Sequence, residues 1–143
     1  MTTAEITQEE IQTVYPQVAQ IMAEALGCDA GEVGLGVPLI EGLNAESIDF
    51  LDIIFGLERT FKVKIPRGKI IEDARGDLPE TVFEEKGYLT EIGLQRLREY
   101  LSEIPADRFH SPMRAADIPR LFTPETFCKI VARGLRARPG DPA

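Results

Sequence analysis

Positive charge is missing from a long N-terminal stretch of this chain: no Lys, Arg or His precedes Arg59. A surface of that kind repels nucleic acid and anionic membranes and favours basic protein patches. Tryptophan is absent, and His110 is the single histidine, set in a proline-flanked loop. The two cysteines, Cys28 and Cys128, are too far apart for a metal-type spacing and read as reduced cytosolic thiols. No apolar run approaches the twenty or so residues of a transmembrane helix. "MTTAEITQEE" lacks the basic start and apolar core of a secretory signal. Stable membrane insertion is therefore not expected, and the location read from this is cytoplasmic.

Catalytic signatures are equally scarce. No Gly-x-Ser-x-Gly elbow surrounds Ser47, and no nearby base is available to activate it. "GEVGLG" lacks the lysine and the preceding strand of a phosphate-cradling loop. These absences point away from an enzyme acting alone, with no catalytic residue and no metal ligand to assign.

What the chain has is acid and helical periodicity. Of the 143 residues, 1–66 hold eleven acids against three bases, and 67–143 hold thirteen of each. The whole net charge of −8 thus belongs to the first part. Thr7 and Glu10 fit a capping box, after which Ile11, Val14, Val18, Ile21, Met22 and Ala25 recur at helical spacing up to a stop at Gly27. A long loop follows. Ser47 is placed to cap a second helix running to about Phe61. A last helix reads from "FTPETFCKIVARGL", with Thr123 as cap, Pro124 at its first position and Phe127, Ile130 and Val131 on its buried face. "RARPGDPA" reads as a frayed tail.

On the second helix, Phe50, Ile53, Ile54, Leu57 and Phe61 share a core stripe. Asp49 and Asp52 lie roughly opposite. Ile48, Leu51 and Phe55 form an apolar flank beyond what one core face needs, to be covered by this chain or by a partner. Between Pro66 and Asp117 the charge is mixed and turn residues abound. "TEIGLQRLREYL" offers a helix capped by Thr90 with Leu94, Leu97 and Leu101 on one side. "KII" (69–71) and "TVF" (81–83) read as short strands or nothing regular.

The stretch "LIEGLNAESIDFLDIIFGLERTFKVKIP" resembles the phosphopantetheine attachment region of acyl carrier proteins. That pattern has an Asp-Ser-Leu element, acids two and five places on, a Leu-Glu pair, a Phe and an apolar-x-Ile-Pro close. Here Ser47, Asp49, Asp52, Leu57, Glu58, Phe61, Val63, Ile65 and Pro66 stand at those offsets. Glu46-Ser47-Ile48 replaces Asp-Ser-Leu, and Asn44 replaces the usual glycine; both changes bear on handling by a generic modifying enzyme.

The resemblance implies an all-α, acyl-carrier-like four-helix bundle from residues 1–66 and 118–143. It leaves 67–117 as an inserted, partly helical segment between the second and last main helices. It implies covalent 4′-phosphopantetheine, derived from coenzyme A, on Ser47, carrying an acyl group as a thioester in fatty acid or specialised envelope-lipid synthesis. Glu46, Ile48, Asp49, Leu51 and Asp52 become a recognition surface, and Phe50, Ile53, Ile54, Leu57 and Phe61 the lining of an acyl cavity. Implied partners are a phosphopantetheinyl transferase and acyl-loading, acyltransferase or ketosynthase enzymes with basic docking patches, met by a monomer. A polyketide or peptide carrier, and an unmodified interaction module, are the alternatives. The insertion is expected to fold back on the bundle through its Leu94, Leu97 and Leu101 side.

Overall fold

The computed structural model describes residues 6–65 and 69–137, without the side chains of Ser47, Lys69, Ile70, Ile71 and Ala137. The chain divides into two units, Met1–Ile65 with Thr123–Ala143, and Pro66–Phe122. Pro66 and the tail beyond Ala137 lie outside the described residues.

The first unit is all-helical: α1 (Gln8–Leu26), α2 (Leu39–Leu43), α3 (Ser47–Phe61) and α7 (Pro124–Ala137). Helix α1 starts at the Thr7/Glu10 capping box, in which the Thr7 amide donates to Glu10 Oε1 (3.0 Å) and the Glu10 amide to Thr7 Oγ1 (3.1 Å). It ends at Gly27 in the left-handed region (φ 71°), a conformation that costs glycine nothing. Its buried face, Ile11, Val14, Val18 and Met22, packs against both α3 and α7. At the α1–α3 contact, a Cβ on Gly56 would lie 2.7 Å from Ile21 Cγ2, so glycine sets how closely the helices approach. Helix α7 contributes Phe127, Cys128 and Val131, all essentially inaccessible, and Thr126 pairs with Thr123 at its start. Burial first, and Glu125 second, push the Cys128 thiol up to about 12, so it serves as a small apolar group.

Helix α2 falls within the stretch read from sequence as loop. At five residues it is too short for periodicity to reveal. The Tyr15 hydroxyl donates to the Val33 carbonyl (2.5 Å) and ties that connection to α1.

The second unit holds α4 (Lys69–Arg75), α5 (Glu80–Phe83), a hairpin of β1 (Glu84–Glu85) and β2 (Tyr88–Leu89), α6 (Glu91–Tyr100) and two 3₁₀ segments (Ala106–Arg108 and Ala115–Leu121). Here "KII" and "TVF" are helical, correcting the reading of short strands or nothing regular. Three-residue runs are too short to carry a period. Helix α6 matches expectation: the Gly93 amide donates to Thr90 Oγ1 (2.9 Å), and Leu97 and Leu101 are buried. The same Thr90 hydroxyl donates to the carbonyl of Val82, fastening α5 to the start of α6. A Cβ at Gly93 would stand 2.0 Å from the Phe83 carbonyl oxygen, so only glycine fits there. Phe83, Leu89, Leu97, Leu101, Met113, Ile118 and Leu121 give this unit its own core.

Candidate functional site

The turn into α3 is built from its backbone outward. Asn44 ends α2 in the left-handed region (φ 59°, ψ 33°), and the Ala45 amide donates to the Leu39 carbonyl (3.0 Å). Asparagine is the side-chain-bearing residue that best tolerates this conformation, which explains how it replaces the glycine expected at position 44. Ala45 is buried and anchors the turn from below.

Ser47 is the first residue of α3, and the cap is Glu46. The sequence reading of Ser47 as N-cap is thereby corrected by one position. The Glu46 amide donates to Asp49 Oδ2 (2.8 Å), and the Asp49 amide returns a bond to the Glu46 carbonyl (2.9 Å). The Glu46–Asp49 bond satisfies the cap, so no serine hydroxyl is needed for it. The Ser47 side chain lies outside the described residues, and its place is known from the helix backbone alone.

Along α3 the side chains sort as their spacing requires. Ile53 and Leu57 are fully buried and Phe61 nearly so, while Phe50 and Ile54 are half-buried. The Phe50 ring lies 6.2 Å from that of Phe127 on α7, in a tilted pair. On the other flank Ile48 is 66% and Phe55 54% exposed, Leu51 is half-buried, and the acids Glu46 and Asp52 face solvent. Asp49 is half-buried. One helix thus presents two apolar side chains framed by acids. Phe55 belongs with the recognition candidates; its place one turn beyond Leu51 was the available signal.

The remaining motif positions hold structure. Glu58 Oε2 accepts from the Ile65 amide (2.7 Å), pinning the extended segment in which Val63 and Ile65 are buried. Lys62 takes the left-handed turn (φ 58°) that ends α3. His110 is exposed, with Nδ1 3.0 Å from the Pro112 carbonyl. Among the described residues, no group of three or more His, Cys, Asp or Glu is placed to hold a metal ion. No described helix is long and apolar enough to cross a membrane. The inserted unit carries an open groove of about 870 Å³ between α6 and the loop after it, holding none of the candidate residues.

Residues 16–75 match the family model described as "Phosphopantetheine attachment site". The acyl carrier protein of Clostridium acetobutylicum is 36% identical over 53 residues, covering 37% of this chain and 69% of that protein. That of Bdellovibrio bacteriovorus is 29% identical over 80 residues, covering 56% of this chain and 95% of the relative. The acyl carrier protein AcpXL of Mesorhizobium japonicum is 32% identical over 59 residues, 41% of this chain and 63% of the relative. No solved structure matches the chain.

Proposed function

The chain belongs to the acyl carrier protein family, and on that premise we propose that Ser47 bears the phosphopantetheine arm and that the cargo is an acyl thioester. The family's prosthetic group is covalent 4′-phosphopantetheine. When joined, it supplies a terminal thiol, which would hold the acyl group as a thioester.

The residues around Ser47 fit such a group. A phosphodiester on the first residue of a fifteen-residue helix sits beside first-turn amides and the positive end of the helix dipole. The acid in the first turn of the helix, Asp49, has its carboxylate engaged with the Glu46 amide. The observation that carries the reading is this position of Ser47, heading a helix whose outer flank displays Ile48 and Phe55 among acids.

Each residue then has a role. Glu46 and Asp52 attract the basic patches of a phosphopantetheinyl transferase and of acyl-loading, acyltransferase or ketosynthase enzymes. Ile48, Leu51 and Phe55 give those partners apolar contact, and Asp49 stands in the turn that presents them. Phe50, Ile53, Ile54, Leu57 and Phe61 face the bundle, where an acyl chain gains about 0.8 kcal/mol per buried methylene. The pathway is fatty acid or specialised lipid synthesis, and the working form is a monomer. Residues 67–117 adapt the carrier to one dedicated enzyme or cargo. Chemistry belongs to the partner enzymes.

Intact mass after incubation with coenzyme A and a broad-specificity phosphopantetheinyl transferase tests the assignment. One phosphopantetheine is gained by the parent chain and none by Ser47→Ala. An unmodified parent, or a modified Ser47→Ala variant, overturns it.

A further inference from the structure

We propose that Asp49 is a positioning residue for the modification of Ser47, acting through the backbone, whereas Glu46 and Asp52 act through their charge. The proposal rests on the carrier reading above and goes beyond it in dividing the acids beside the serine into two kinds.

The geometry separates them. Asp49 and Glu46 exchange two hydrogen bonds, the Glu46 amide to Asp49 Oδ2 (2.8 Å) and the Asp49 amide to the Glu46 carbonyl (2.9 Å). The ring these bonds close contains the backbone of Ser47 and Ile48. A third bond, from the Phe50 amide to the Glu46 carbonyl (3.2 Å), begins the regular helix. On the other side the chain is fixed by the left-handed Asn44, by the bond from Ala45 to Leu39 and by the burial of Ala45. The Ser47 backbone is therefore held from both directions, and the Asp49 side chain is part of that clamp. Asp49 is half-buried over this turn, while Glu46 and Asp52 are exposed.

Removing the acceptor at position 49 leaves the Glu46 amide without its partner, and a helix end that loses such a bond frays from its first residue. Here that first residue is the one to be modified. A transferase then meets Ser47 in a population of turns in place of one. The loss appears in the turnover step, since approach through Glu46 and Asp52 is unchanged. Asparagine at 49 keeps a carbonyl acceptor and removes the charge, so it separates the two ways in which an acid can help.

The test measures kcat and KM for phosphopantetheinylation of the full chain with coenzyme A and a broad-specificity transferase, at low and high salt. Asp49→Ala is expected to lower kcat about fivefold, the rate equivalent of about 1 kcal/mol for a lost cap contact, with KM changed less than about twofold. Asp49→Asn is expected to restore kcat to within about twofold of the parent. The Glu46 amide proton resonance should lie downfield in the parent and in Asp49→Asn, and move upfield in Asp49→Ala. Equal slowing of both variants, erased by salt, means that Asp49 acts by charge and overturns the proposal. So does an Asp49→Ala variant modified at the parent's kcat. A parent chain that takes up no phosphopantetheine is the separate failure that refutes the carrier reading itself.

Discussion

Arg136, in the last turn of α7, grips Glu10, in the first turn of α1, with both arms of a fork: Nε donates to Oε2 (2.8 Å) and Nη2 to Oε1 (2.5 Å). Glu10 is also half of the Thr7 capping box, so one carboxylate starts one helix and fastens the end of another. The Arg136 bonds first, and the Thr7 amide second, lower the Glu10 pKa from 4.5 to about 2. A depressed carboxylate stabilises the fold above its unfolded pKa, and that stability fades as pH falls toward the folded value.

The pH window follows directly. Arg136→Gln should lower the Tm at neutral pH, and the gap from the parent should narrow between about pH 4.5 and about pH 2. Thermal melts of parent, Arg136→Gln, Glu10→Gln and the double variant measure it. A gap constant down to pH 2 would show that the fork contributes no ionic stability.

Charge steering makes a second prediction. Glu46→Lys with Asp52→Lys should reduce kcat/KM for modification at least tenfold at low salt while leaving the Tm near the parent's, because both side chains are exposed. The parent's rate should fall with added salt, since attraction between exposed charges is screened over about 10 Å at 0.1 M. A parent rate indifferent to salt would assign recognition to shape alone.

Gly93 gives a third. Gly93→Ala drives a methyl group into the Phe83 carbonyl and should destabilise the inserted unit by about 1–3 kcal/mol. Denaturant melts read the change, and hydrogen exchange at Leu97 and Leu101 reports where it occurs. Retained protection at those amides would contradict the geometry.

The insertion supplies the fourth. Replacing residues 67–117 with a short connection should leave phosphopantetheinylation intact and abolish acyl transfer by the cognate enzyme. A shortened chain loaded and used as well as the parent would remove the insertion from acyl handling.

Local chemistry made much of both units legible. The caps at Thr7, Thr90 and Thr123 each have a hydroxyl next to a periodic apolar run, and each stands where its side chain directs. The α3 core stripe followed from spacing alone. The start of α3 was misplaced by one residue because Ser47 is the better capping side chain, whereas Asp49 satisfies the turn from inside the helix. Helices of four to seven residues at Leu39, Lys69 and Glu80 are too short to show a period. The Glu10–Arg136 fork spans 126 positions, and no local pattern announces it.

The polypeptide leaves the carrier unit after Ile65 and returns at Thr123. Closing such an excursion is cheap: each doubling of loop length adds only about 0.6 kcal/mol, so the bundle tolerates a long detour between its third and last helices. The timing of synthesis is affected more. Helix α3 and its partner α1 emerge from the ribosome with the faces that α7 will cover still bare, and they stay bare while the whole detour is made. Phe127 and Val131 arrive only after the detour, and Arg136 later still. Ser47 is thus translated before the detour, and the bundle around it is sealed only after the detour is complete.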